Sequence, residues 1–285
     1  MPWLLRAAWV AVVVLAIPAV DQAFEDNSDT IQTVVRAVGG ALWLLGVAAM
    51  AVPAVISLTA TRIIVPLAVP VSLATAFSGA EAGVGAAFVA TALAATFLAS
   101  SAPLGRAFVQ ASAYGDEDRH LLRPPLAYLV AASLTWMLCA GALLTAPPLL
   151  AGRHWVLGGI ACGLAVGGVA WAWRRWHALS RRWLVLVPTG VVVHDQVVLG
   201  ETLMMRRNEV GALRLARAGT EALDITGPAA GHAVEVVTRA PATAILAATP
   251  KEPRGRVMHF TACLVCPTRP GQVLTAARQR RLPVG

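Results

Sequence analysis

Charge is scarce in this chain. Only 13% of its 285 residues are Asp, Glu, Lys or Arg, against about a quarter in an average soluble domain. Among the 23 basic residues Lys251 is the single lysine. Cysteine occurs four times, and Cys139 and Cys162 lie inside apolar runs, so no disulfide framework is implied. Catalytic signatures are missing too. "GGIACGLAVGG" is rich in glycine but lacks the basic residue and hydroxyl of a phosphate-binding loop. "AFSG" around Ser78 has Ala76 where an intramembrane serine protease needs glycine, and no apolar run contains a histidine. The six histidines are scattered without an i, i+4 pair, which argues against a metal site.

What is abundant is apolar residue: 57% of the chain, with a mean hydropathy of +0.67. A membrane-spanning helix needs about 20 such residues. Six segments approach or meet that length, at about 3–20, 37–60, 63–80, 82–104, 126–150 and 155–175. Pro66 and Pro70 fall in the third, and Glu81 alone separates it from the fourth. Whether both cross or one is re-entrant stays open. Arg6 interrupts the first segment, whose remainder has the length of a signal-peptide core. No small-x-small cleavage pattern follows, because Ile17 or Asp21 would occupy the third position back from the cut. A retained helix with Arg6 snorkelling to the interface is expected.

Arginines in the short loops set the orientation. Six spans with the N-terminus inside put nine on one side (Arg6, Arg62, Arg106, Arg119, Arg123, Arg174, Arg175, Arg181 and Arg182) and only Arg36 and Arg153 on the other. The acidic stretch "DQAFEDNSDTIQ" also falls on the poorer side. The expectation is a multi-pass bacterial cell-membrane protein whose C-terminal part, 183–285, is cytoplasmic. The net charge of +8 then reports topology, and nucleic-acid binding is not expected.

From Trp183 the pattern becomes short apolar runs bounded by turn residues, the signature of strands. "WLVLVP" and "VVVHD" flank Thr189-Gly190, and "ETLMM", "GALRLA", "EALDIT", "AVEVVTR", "ATAILAA" and "VMHFTACLV" follow, with turns at "TGPAAG" and "PKEPRG". "TRPGQVLTAARQRRLPVG" reads as a helix. Thr268 is its candidate N-cap, Pro270 lies in the first turn, and Val273, Leu274 and Ala277 form its apolar stripe. The expected fold is a membrane helical bundle over 1–182 followed by a small all-β barrel or sandwich with a C-terminal capping helix.

The opening "WLVLVPTGVVVHD", the basic "LMMRRNEVGALRLARAG" and the terminal helix resemble the bacterial PH-like domains that follow transmembrane helices in many membrane proteins. The Ala, Gly, Val and Arg bias resembles actinobacterial membrane proteins. The first resemblance implies a bent antiparallel sheet closed by a helix and used for binding. It brings no catalytic residue, cofactor or metal ligand.

Candidate sites are few. Cys263-Leu-Val-Cys266 lacks a second ligand pair and ends a β-run, so it reads as two small core cysteines. His120 with Asp116, Glu117 and Asp118 in "GDEDRH" reads as a solvated loop between helices. The basic junction with Trp173, Arg174, Arg175, Trp176, Arg181, Arg182 and Trp183 is the candidate membrane-interface and anionic-lipid surface. Trp prefers the headgroup level and each Arg near anionic lipid is worth about 1 kcal/mol. The expected function is a non-catalytic scaffold whose β domain binds a protein partner or the membrane surface, the partner-facing arginines including Arg206, Arg207, Arg214 and Arg217. A transporter or transporter subunit, suggested by Pro53, Pro66 and Pro70, and a lipid-active membrane enzyme are the alternatives.

Overall fold

The computed structural model describes residues 1–248, 252–253 and 255–285. They form two compact units, one of Met1–Phe108 with Ala132–Arg175 and one of Val109–Ala131 with Trp176–Gly285. The expected layout of about six long apolar helices followed by a sheet-rich region and a final helix is the layout observed.

The helices are α1 (Pro2–Ala23), α2 (Asp29–Ala51), α3 (Val55–Ile64), α4 (Ala68–Phe77), α5 (Ala82–Ser100), α6 (Ala102–Gln110), α7 (Leu126–Ala151) and α8 (Trp155–Ser180). A single 3-10 turn at Val65–Leu67 joins α3 to α4, where Pro66 and Pro70 each remove an α-helical donor. Among the described residues six stretches are long and apolar enough to cross a membrane: Pro2–Ala23, Asp29–Ala51, Val55–Phe77, Ala82–Ser100, Leu126–Ala151 and Trp155–Ser180.

Two boundaries differ from the sequence expectation. The second helix starts at Asp29, well before residue 37, and the chain breaks at Val52–Ala54 rather than at Thr61-Arg62. Proline outweighs charge here. Pro53 forces the preceding Val52 into extended backbone, at φ −115° and ψ 113°, whereas arginine is a good helix former. Arg62 therefore belongs to α3 and not to a loop, and its buried Nε has no hydrogen-bond partner among the described residues.

Ending α2 at Ala51 leaves its last carbonyls without intrahelical donors. Three side-chain bonds supply them. Thr61 Oγ1 donates to the Ala49 carbonyl at 3.5 Å, and Arg6 Nη2 donates to Met50 and Ala51 at 2.7 and 3.2 Å. Arg6 is thus the cap of the second helix. Where α1 and α2 cross, Trp9 Nε1 donates to the Trp43 carbonyl at 3.1 Å and Trp43 Nε1 to the Trp9 carbonyl at 3.0 Å. Gly46 makes room for this pair, since a Cβ there would lie 2.6 Å from the Trp9 ring. On α5 the buried face is Gly85, Phe88, Ala92, Ala95 and Ala99, the small-residue surface that lets membrane helices approach closely. The hydroxyls of Thr59, Ser72, Thr75 and Thr91 each donate to a carbonyl of their own helix.

The second unit contains two four-stranded sheets. One has the order β1-β2-β3-β4, with β1 Asp118–Leu121, β2 Arg182–Val187, β3 Gly190–Asp195 and β4 Leu203–Arg206. The other has the order β5-β7-β8-β6, with β5 Val210–Leu215, β6 Leu223–Asp224, β7 Val234–Leu246 and β8 Arg256–Val265. Both are antiparallel throughout except that β6 pairs parallel with β8. The sheets join at their ends, where Gly200 and Ala247 bond the carbonyls of Ile245 and Val198, and Arg123 bonds that of Cys266. "AVEVVTR" and "ATAILAA" are one strand, β7, whose register slips between Val237 and Ala242. Pro241, which has no N–H to give the ladder, lies in that slip. Of the "PKEPRG" turn, Pro250, Lys251 and Arg254 lie outside the described residues.

Segment 118–121 corrects the solvated-loop reading of "GDEDRH". It pairs with β2 as an added edge strand, Asp118 opposite Leu186 through Leu121 opposite Trp183, and His120 is buried. Two residues favour this: Leu121 and Leu122 need burial and find it in the unit. The terminal helix α9 (Pro270–Gln279) buries Val273, Leu274, Ala276 and Ala277 against the core of Leu184, Val191, Leu213 and Phe260. Its N-cap is Arg269 rather than Thr268, with no side-chain cap bond.

Candidate functional site

The seven residues of the basic junction have different fates. Arg174 and Arg175 are exposed, and Arg175 lies 3.8 Å over the Trp171 ring while donating to the Trp171 carbonyl at 3.0 Å. Trp173 and Arg181 are half-buried, and Trp176 is buried. Only one residue, Arg181, separates the end of α8 at Ser180 from the start of β2 at Arg182.

Arg182 faces inward instead of toward headgroups. Its side chain is 1% exposed. Nε and Nη2 donate to the two carboxylate oxygens of Asp195 at 2.8 and 2.7 Å, Nη1 donates to the Arg123 carbonyl, and Nη2 also donates to that of Thr226 at 3.2 Å. The hairpin register explains this, because Arg182 stands directly opposite Asp195 on β3. A cation on a core-facing strand position must be paired. Trp183 is likewise taken up. Its ring stacks on His194 with centroids 5.0 Å apart, and Arg119 lies 5.4 Å over it. Burial, then the nearby Arg181 charge, pushes His194 below its ordinary pKa, so the ring is neutral and its Nδ1 shares a 3.0 Å hydrogen bond with Thr202. Of the proposed lipid-facing set, Arg174 and Arg175 keep that exposure.

The partner-facing arginines also divide. Arg214 is held by Glu235 at 2.8 and 3.3 Å, and that hydrogen bond is the main cause holding the Glu235 carboxyl below its usual range. Arg207 donates to the carbonyls of Arg280 and Arg281. Arg217 and Arg206 are exposed. The guanidinium of Arg206 has no partner among the described residues, while its backbone N–H donates to Glu209 at 2.8 Å. Beside it runs a shallow groove of about 590 Å³ lined by Pro188, Thr189, Met204, Arg206, Arg207 and Asn208. Among the described residues β4 pairs only with β3, so its other edge carries no strand, although the Arg206 N–H is taken by the Glu209 carboxylate. Met204 on β4 is 50% exposed. On the other sheet, by contrast, β5 is met by the C-terminal tail: Leu213 receives the Gly285 N–H and donates to the Pro283 carbonyl.

The remaining candidates are consumed structurally. Burial pushes the Cys263 thiol up to about 12, and it lies in the core. Cys266 is buried against the Ala230 and His232 carbonyls, and its thiol is pushed up as well by burial. Neither is a thiolate at neutral pH, as a nucleophile or metal ligand must be. In "GDEDRH" the carboxylates diverge: Asp116 pairs with Arg280 at 2.5 Å, Glu117 with Arg119 at 2.8 Å and Asp118 with His120 at 3.3 Å. Among the described residues no three such groups converge for a metal. No protein-family model, no curated protein and no solved structure matches the chain.

Proposed function

We propose that this is a membrane-anchored, non-catalytic interaction module whose β unit takes an extended acidic segment of a protein partner along β4. The observation that carries this reading is the coincidence, among the described residues, of a strand edge with no neighbouring strand, a half-exposed Met204 and an Arg206 guanidinium without a partner, the two side chains lining one groove. An added strand would gain main-chain bonds from the edge and side-chain contacts from the groove. The positive charge selects for acidic sequence and speeds encounter. The resemblance to PH-like domains, used generally for binding, supports the same conclusion.

The arginine count supports a cytoplasmic position for this unit in a bacterial cell membrane even with Arg62 assigned to a helix. Transport ranks second. Its best support is the 3-10 turn at Val65–Leu67, but the neighbouring Ile63 carbonyl is already occupied by Trp136 Nε1 at 2.9 Å, which leaves less free backbone to bind a solute. Purification of the full chain from its native membrane tests the proposal. Arg206→Glu should lose the co-purifying partner while the protein remains folded, and unchanged recovery would refute the groove as the site.

A further inference from the structure

A cavity of about 370 Å³ opens among α1, α2, α4 and α5 and the turn between α3 and α4. Its volume is in the range of roughly 300–1,000 Å³ common for small-molecule sites. The walls are apolar, and the two charged residues on them, Asp21 and Arg36, form a salt bridge at 2.7 Å. Trp9 and Trp43, tied by their reciprocal hydrogen bonds, line the opposite end. From Trp9 to Asp21 is twelve residues of helix, about 18 Å at 1.5 Å per residue. That is close to half of a hydrocarbon core of roughly 30 Å, so the cavity runs the depth of one leaflet.

Space of this kind is kept by the sequence. Gly39 and Gly40 lie on its wall, and a Cβ on either would meet nothing within 4 Å. Water gains nothing from apolar walls, and at this depth the surrounding solvent is acyl chain. The mouth supplies a head-group contact. Arg36 spends Nε on Asp21 and a longer 3.4 Å bond from Nη2 on Gln32. A guanidinium has five N–H donors, which leaves others for a phosphate oxygen. We infer that this cavity is a binding site for one acyl chain of a phospholipid, with the lipid phosphate held by Arg36 at the mouth. This site is independent of the β4 groove.

The test uses the full chain in nanodiscs containing either phosphatidylglycerol or diacylglycerol that carries a diazirine in the acyl chain. Photo-adducts are then mapped by mass spectrometry. Adducts should concentrate on the cavity wall, at Gly39 to Trp43 and Trp9 to Ala16. Gly40→Leu and Ala68→Leu, which fill the space from two different helices, should each cut them about tenfold, an affinity loss of about 1.4 kcal/mol. Leu44→Ala, on an exposed face of α2, should not. Arg36→Gln should reduce phosphatidylglycerol adducts several-fold and leave diacylglycerol adducts unchanged. Labelling spread evenly over exposed helix faces, or equal in the wild type and both filled variants, would overturn the chain site. An Arg36→Gln variant that labels like the wild type with both lipids would overturn the phosphate contact.

Discussion

Arg182 and Asp195 meet across the β2–β3 hairpin as a two-pronged ion pair at 2.8 and 2.7 Å, with side chains 1% and 0% exposed. The same guanidinium also ties the Arg123 and Thr226 carbonyls, so one side chain fastens three segments of the β unit distant in sequence. Removing one partner strands a buried charge. Asp195→Ala should therefore destabilise the unit by about 3–5 kcal/mol, and Arg182→Met with Asp195→Leu should recover most of the loss. Hydrogen exchange across β2 and β3 in the full chain reads both. An Asp195→Ala protein with wild-type protection would contradict the pairing.

Acid should loosen the β unit in two steps. His194 and Glu235 both have folded pKa values below their ordinary values of 6.5 and 4.5, His194 through burial and Glu235 through its hydrogen bond with Arg214. A group that binds protons less readily when folded stabilises fully above its unfolded pKa and loses that contribution as pH falls through the folded one. Stability should thus decline first below about 6.5 and again below about 4.5. His194→Gln should flatten the upper step and Glu235→Gln the lower, as followed by unfolding of the full chain against pH.

Arg6→Met keeps the length of the side chain and removes the donors to Met50 and Ala51. Losing the hydrogen bond to the part-buried Met50 carbonyl costs about 1 kcal/mol, and the exposed Ala51 carbonyl can turn to water. The loss should appear as faster exchange of the amides around the α2 end and a lower unfolding temperature in detergent. Arg6→Lys should restore part of it.

Thiol chemistry provides an independent check on the core. A polar maleimide at pH 7 should leave Cys263 and Cys266 unmodified until the chain is denatured, since both are buried and Cys263 is pushed up to about 12. Rapid modification of Cys263 in the native protein would place it outside the core.

Much of this was legible in the sequence wherever a single physical rule dominated. Hydropathy located six apolar helices, and the Thr189-Gly190 turn located the first hairpin, because both signals are local. The fate of Arg182 and Trp183 was also within reach. A two-residue turn at Pro188-Thr189 fixes the register that sets Arg182 opposite Asp195 and Trp183 opposite His194. Their nearness to other arginines and tryptophans suggested headgroups, but strand pairing decided their surroundings. The β1 strand was hidden for a different reason. Its partner is about sixty residues away, and "DRHL" has no strong alternation of its own. The α2 boundary was obscured because charge marked a helix end at Arg62, while the break belongs to Pro53.

The open β4 edge is the centre of the functional account, and site-specific photo-cross-linking from Met204 in the native membrane tests it most directly. One partner should cross-link from Met204 and not from exposed Thr261 on β8, through a segment rich in Asp and Glu, and Arg206→Glu should abolish the product. Cross-links of equal yield from Met204 and Thr261, or products that survive Arg206→Glu, would mean that the arginines merely guard an unused strand edge.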